Sequence, residues 1–297
     1  MAVVELPTPT VDARRVRLRG ALRRFPLGAR VATVILVAFV VIAVTGPAWA
    51  PYGPTVSTPA GPFTDPSHAH LLGTDVLGRD VFSRLVYGTR DVLLLALVST
   101  ALSTIVGGAL GLLSGYVGGS LDQLLMRAFE AVISIPLLVL ALLAVAAAGP
   151  KLAGSKLLLI GVIILVYAPR TARMARAVAV ELGHRDFVVV ARARGESVWS
   201  IVRRELAPNA TGVLLVEFGV RAGYAPILIS SLGFLGFGEQ PPAPDWGLMI
   251  SENRQALSTA PVSVLAPAAT LAVLVIALNV ATDGLARVLG RAALRTP

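Results

Sequence analysis

The sequence predicts an all-α, polytopic membrane protein with six transmembrane helices and a basic segment held outside the lipid between the fourth and the fifth. Three observations carry that prediction. The 297-residue chain is 55% hydrophobic and only 14% charged, too little polar surface for a soluble globule of this length. Six apolar blocks approach the ~20 residues that cross a hydrocarbon core as helix. Arg and Lys gather in alternate connections between those blocks.

The first block, Val31 to Ala50, follows an Arg-rich leader and ends in Ala48-Trp49-Ala50, an imitation of a signal-peptide site. Its full-span length and the Pro51 that follows favour an uncleaved anchor. The second runs from Val92 to about Gly118. Before it, residues 80–86 (DVFSRLV) place apolar side chains at helical spacing, which predicts a short interfacial helix leading into the span. The third is Ala131 to Gly149. The fourth, Leu157 to about Arg173, is the weakest, and it crosses if Arg170 and Arg173 reach back toward the interface. The fifth is Ala210 to about Phe234, and the sixth is Val262 to Thr282.

With the N-terminus inside, 19 of the 26 basic residues fall on the cytoplasmic side and six outside, with Arg221 inside span five. The positive-inside rule therefore predicts that both termini and residues 181–208 are cytoplasmic. The organisation that follows is a leader over 1–30, the first anchor and external loop over 31–91, a membrane domain over 92–286 and a cytoplasmic tail over 287–297.

Composition also removes function classes. Cysteine is absent, so disulfides, thiolate metal sites and Cys nucleophiles are excluded. The three histidines are too scattered for a metal site, and His68 and His70 read as a solvated loop pair. Net charge is +9, but no basic face interleaved with aromatics appears and most Arg flank apolar runs, which points to lipid headgroups and not to nucleic acid. No G-x-x-x-x-G-K-[ST] loop exists. Its nearest imitation, GPKLAGSK at 149–156, has Ser155 before the Lys and falls in an external connection. No H-E-x-x-H or G-x-S-x-G is present, so no catalytic residue is assigned.

Two ionisable groups stand inside span five. Glu217 and Arg221 are spaced i, i+4 with Glu first, the favourable order for a pair. Unpaired, each costs ~2.5–3.5 kcal/mol in the bilayer, so their shared face points into the bundle. The pair reads equally as a structural ion pair, as a contact with a partner subunit, or as a lining of the translocation path.

The cytoplasmic stretch ARARGESVWSIVRRELAPNA at 191–210 needs its own explanation. A helical run, HRDFVVVARARG, precedes the break at Gly195. From Glu196 to Leu206 the apolar Val198, Trp199, Ile201, Val202 and Leu206 cluster on one side, with Ser200, Arg203 and Arg204 opposite. Pro208 is expected to end this second helix and to push Ala207 into an extended conformation. Eleven residues span only ~16 Å, too short to cross a membrane. The helix either lies on the inner leaflet or docks into a groove on a cytoplasmic protein.

The Gly195 to Pro208 separation matches the EAA loop of ABC importer permeases, and DFVVVARARGESVWSIVRRELAPNA resembles the form found in the dipeptide/oligopeptide/nickel (DppC/OppC-like) family. HLLGTDVLGRDVFSRLVYGTRDVLL (70–94), ISIPLLVLALLAV in span three, SLGFLGFGEQPPAPDWGLMI (231–250) and DGLARVL near the tail are similar to that family as well. The likeness covers nearly the whole chain beyond the leader. It departs at Val189, where the general pattern has Glu, at Glu205 and Ala207, where apolar residues are usual, and at Ile229, where the family has Glu.

The resemblance implies a type I importer architecture in which residues 195–208 form a cytoplasmic coupling helix. Ala191, Gly195, Ser197, Trp199, Arg203 and Pro208 are then the residues that dock or position it, with Glu217 and Arg221 on a possible translocation path. It further implies a second, paralogous permease, two ABC ATPases that bind ATP and Mg in place of any cofactor in this chain, and an extracytoplasmic substrate-binding protein. The expected function is transmembrane passage of di- or oligopeptides or a related solute. The rival reading is an ion-coupled secondary transporter or channel, which would need an intramembrane relay absent from this sequence.

Overall fold

The computed structural model describes residues 26–149, 151–152 and 154–293; most of the leader, the end of the tail, and Pro150 and Ala153 of the 149–156 imitation loop lie outside the described residues. The described residues form helices α1 (Leu27–Trp49), α2 (Val81–Val117), α3 (Gly119–Ser134), α4 (Leu137–Ala148), α5 (Lys156–Leu182), α6 (Asp186–Ala193), α7 (Val198–Ile201), α8 (Ala207–Phe234), α9 (Trp246–Asn253) and α10 (Val262–Ala293), with no named strand. Five spans are long and apolar enough to cross a membrane, and α3 with α4 makes a sixth if the bent pair counts as one.

Several spans differ from their sequence expectation, the sixth running on to Ala293, past the Thr282 expected as its end. The interfacial helix and span two are one 37-residue helix, because Asp80 caps it at the start, accepting from the Ser83 amide at 2.7 Å, and nothing breaks it before Gly118. Span three is not straight: α3 and α4 meet at 98°. Pro136 forces Ile135 into an extended conformation (ψ 131°), and the ring deletes the amide that would continue the ladder. Span four runs to Leu182, about nine residues past the apolar block, because Ala172, Ala175 and Ala179 carry its packing seam beyond the hydrophobic stretch.

That seam is the most extensive helix contact among the described residues. Gly107, Gly111 and Gly115 of α2 lie against the backbone of α5, where an added Cβ would stand 2.4 Å from the Ala168 carbonyl oxygen, 2.2 Å from that of Ala172 and 2.7 Å from that of Arg176. Lipid offers no hydrophobic gain for helix pairing, so close backbone approach through small residues supplies it by van der Waals contact. Gly111→Leu is expected to force α2 and α5 apart at a cost of ~1–3 kcal/mol or more. Thermal unfolding in detergent checks this, with Leu at exposed Ile105 as the neutral control.

One end of the bundle is closed by residues 50–80 and 235–261. Trp246 is fully buried there, its Nε1 donating to the Leu85 carbonyl at 3.3 Å, and the Val76 amide donates to Asn253 Oδ1 at 2.9 Å. His70, expected in solvent, is buried, with Nδ1 3.0 Å from Asp80 Oδ1 and its ring stacked on Tyr52. The helix cap supplies an acidic neighbour that the local sequence does not announce.

Asp245 caps α9, accepting from the Leu248 amide at 2.7 Å, yet it is buried. Desolvation, opposed by the backbone N–H groups of Leu248 and Gly247, pushes its carboxyl up to about 7. The folded protein therefore holds a proton that the unfolded chain releases near ~3.9, and the stability contributed by this group is lost as pH rises from about 4 to about 7. Asp245→Asn keeps an acceptor for Leu248. It is expected to melt higher than the parent near pH 8 and to lose that advantage near pH 5, as read by thermal denaturation at the two pH values.

Candidate functional site

At the opposite end from this cap, α5 turns through Gly183 into α6, and the segment predicted to be cytoplasmic packs against the ends of α2 and α5. Val188, Ala191, Ile201, Val202 and Leu206 are buried with Leu112, Ala175, Ala179 and Ala210. Arg192 adds a cation over the Tyr116 ring, 5.5 Å from its centroid. A short helix pair that could not hold its shape alone is thus seated on two long helices.

The break at Gly195 has a specific geometry. Gly195 has φ +76°, its amide donates to the Arg192 carbonyl at 3.0 Å, and the Glu196 amide donates to the Ala191 carbonyl at 3.2 Å. These two bonds close a Schellman motif, which needs a left-handed residue at this position and selects Gly. Ser197 then caps α7, accepting from the Ser200 amide at 3.3 Å. Glu196 bridges the turn, its carboxylate held by Arg194 and by the Ser200 hydroxyl, and these hydrogen bonds keep its pKa below the ordinary Glu value.

Pro208 does not end this helix. Residues Val202–Leu206 form a π turn that runs on into α8, and Ala207 is helical (φ −59°, ψ −43°). The Ala207 amide donates five residues back, to Val202, so one residue is added to the turn ahead of the proline. Pro208 sits in the first turn of α8, where its missing N–H is tolerated, and Asn209 Nδ2 takes up the Glu205 carbonyl at 2.6 Å. The segment is therefore mechanically continuous with span five.

The six predicted docking or positioning residues divide. Ala191 is buried and anchors α6; Gly195, Ser197, Trp199, Arg203 and Pro208 are exposed. The predicted apolar side of the second helix divides too. Ile201, Val202 and Leu206 face the bundle, while Val198 (44% exposed) and Trp199 (62%) face away, and Val189 and Val190 of α6 are exposed as well. A single apolar stripe was expected because helical spacing cannot distinguish two apolar faces on one short helix.

Inside the bundle, Arg221 Nε donates to Glu217 Oε1 at 2.7 Å and Nη2 lies 2.7 Å from the same oxygen. Glu217 is buried, and the Arg221 guanidinium stands 5.9 Å from the Tyr167 ring centroid. The face does point inward, as the cost of an unpaired charge requires. Among the clusters sequence reading missed are Arg176 paired in a fork with Asp122 between α5 and α3, and Asp75 with Arg79, Arg84 and Glu252 in the cap. Their partners are 54 to 173 residues apart in places, beyond any local spacing rule.

Comparison with known proteins agrees with this geometry. Residues 107–295 match the model of the binding-protein-dependent transport system inner membrane component. The chain is 33% identical over 264 residues to the dipeptide transport system permease protein DppC of Haemophilus influenzae, covering 87% of this chain and 88% of that protein. It is 33% identical to DppC of Alkalihalophilus pseudofirmus (86% and 83% covered) and 36% identical to the glutathione transport system permease protein GsiD of Pectobacterium atrosepticum (74% and 72% covered). A multi-pass helical bundle with an exposed, helix-anchored segment before its fifth span, matched over most of its length, belongs to the binding-protein-dependent inner membrane component family as a DppC-like permease subunit of an ABC importer.

Proposed function

We propose that this chain moves di- or oligopeptides across the bacterial cytoplasmic membrane as one of two permeases, with both termini in the cytoplasm. Peptide and glutathione transport in the names of its relatives supports the substrate class. Two ABC ATPases bind ATP and Mg, so the chain carries no catalytic residue or cofactor of its own. A binding protein delivers the solute to the capped end.

The observation that carries this reading is the α6–α7 unit: its inner face is buried on the bundle, while Val189, Val190, Val198 and Trp199 are left exposed, as are Arg192, Arg194 and Arg203 in the same segment. Exposed apolar side chains interspersed with cations on one short segment suit a groove on a cytoplasmic partner. When ATP closes the ATPase pair, the grooves approach, and the π-turn connection passes that motion into α8 as rigid-body rocking. Gly195 to Pro208 is thus the coupling element, with the leader and tail on the same side.

The test is reconstitution with the paralogous permease, the ATPases and the binding protein in liposomes. ATP-dependent dipeptide uptake, and ATP hydrolysis stimulated by the binding protein, are expected. Uptake driven by an ion gradient with no ATPase present would overturn the reading in favour of a secondary transporter.

A further inference from the structure

The break in span three leaves a helix N-terminus against α5 and α8, with Leu137 and Leu138 partly buried and Pro136 and Val139 exposed. The first intrahelical bond of α4 runs from the Leu140 amide to the Pro136 carbonyl at 2.9 Å, so the amides of Leu137, Leu138 and Val139 precede the ladder, and no side chain caps them. Leu137 and Leu138 line a cavity of about 380 Å³ whose wall also includes Arg221, Tyr167 and Ser231. Tyr167 is 1% exposed and its hydroxyl has no hydrogen-bond partner. A buried phenol without a partner is a costly arrangement unless something else accepts from it.

Charge gives the sign of that ligand. Arg221 meets Glu217 through Nε and Nη2 on one carboxylate oxygen, which leaves Nη1 outside the pair. The uncapped amides carry the positive end of the α4 dipole, and the Tyr167 hydroxyl adds a neutral donor. Arg221 is halfway along α8, about 21 Å from its start at 1.5 Å per residue. Donors from three helices therefore converge on one cavity at mid-depth.

The cavity also has a direction. A second cavity of about 310 Å³ shares Leu138, Ile227 and Ser231 with the first and continues toward Leu235 and Ile250 near the capped end. Its wall is apolar apart from Ser230 and Ser231, and the buried Ser230 hydroxyl likewise lacks a partner. An elongated solute with one charged end and an apolar body fits this sequence of surfaces.

From this convergence we infer that the cavity lined by Leu137, Leu138, Tyr167 and Arg221 is a carboxylate-binding station on the translocation path, formed by Arg221, the Tyr167 hydroxyl and the amides that open α4. The inference rests on the importer reading for its solute: the free carboxylate of a transported peptide would dock here while the remainder lies along the apolar groove. Glu217 is a positioning residue, holding Arg221 oriented. The free carboxylate, and not the side chains, is the feature recognised, which suits a carrier that accepts varied peptides.

The test uses the complex of this chain with its partner subunits in nanodiscs of zwitterionic lipid, with a fluorinated tyrosine at position 167 alone. Titration with N-acetyl-leucine is expected to shift the fluorine resonance saturably, and N-acetyl-leucinamide to leave it unmoved. Glu217→Gln/Arg221→Gln leaves no unpaired charge and is expected to weaken the carboxylate titration at least tenfold, the usual scale for one charged hydrogen bond. Ser231→Ala, as a neighbouring change that keeps the cation, should preserve it within a few fold. An absent shift, an equal shift with the amide, or one unaffected by the double variant overturns the station. A shift produced by anionic lipid alone, without added solute, assigns the cavity to a headgroup and also overturns it. ATP-driven dipeptide uptake measured on the same preparation separates the two readings: failed uptake with a carboxylate-specific shift removes the peptide importer and leaves the anion site standing.

Discussion

Gly195→Val is expected to reduce uptake at least tenfold while the protein still inserts and folds. An added Cβ at Gly195 meets nothing within 4 Å, so the substitution does not clash with the chain itself. The damage comes from φ +76°, which costs an L-residue about 1–2 kcal/mol and a β-branched one more. Val therefore opens the Schellman turn, releasing the two bonds that fix α6 against α7, and the exposed patch loses its shape. Gly195→Asn is the informative companion because Asn tolerates the left-handed region. It should retain most transport, whereas Val should lose co-purification of the ATPases and stimulation by the binding protein. Retention of both by the Val variant removes the docking assignment.

The largest loss of stability is expected for Asp75→Ala. Asp75 is fully buried, with Oδ2 2.7 Å from Arg79 Nε and 2.5 Å from Arg84 Nη1; Glu252 lies 2.6 Å from Arg79 and 3.0 Å from Arg84. Its other oxygen accepts from the Leu77 and Arg79 amides, each at 2.9 Å. Removing the carboxylate leaves two guanidinium groups, one of them fully buried, facing a single Glu. Breaking a buried pair from one side costs about 3–5 kcal/mol. For a domain of this size that corresponds to a fall in melting temperature on the order of ten degrees. Asp75→Asn keeps an acceptor for the two amides and loses only the charge, so it should fall between Ala and the parent. Differential scanning of the three proteins in one detergent checks the order, and equal melting of Ala and the parent rules out a structural role for the cluster.

Both variants depend on features that sequence reading approached unequally. Gly195 was legible because a helix break before a Pro-closed amphipathic run is a local pattern, and a Schellman turn involves only residues 191 to 196. Asp75, by contrast, looked like one polar residue in a loop with Pro, Gly and Asp. Glu252, which shares its two arginines, is far along the chain, and nothing within a short window distinguishes a buried carboxylate from a solvated one. His70 was misjudged for the same reason. Pro208 failed differently: the rule that Pro ends a helix is correct for a regular α-turn, but one added residue in a π turn accommodated the ring, and that choice is made where Leu206 and Val202 must both stay buried.

What the sequence by itself determined is the number and order of apolar segments, the inward face of Glu217 and Arg221, the break at Gly195 and the family. These follow from transfer of side chains between water and lipid and from backbone restrictions at Gly, both of which act residue by residue. What only the tertiary structure decided is where helices run past their apolar stretch, how sharply span three bends, which side of the 198–206 segment is left exposed, and the meeting of Tyr167, Arg221 and the opening amides of α4. Those depend on which backbone surfaces approach one another. Close packing at the Gly107, Gly111 and Gly115 seam, and the pairing of charges far apart in sequence, have no energy until distant segments are in contact.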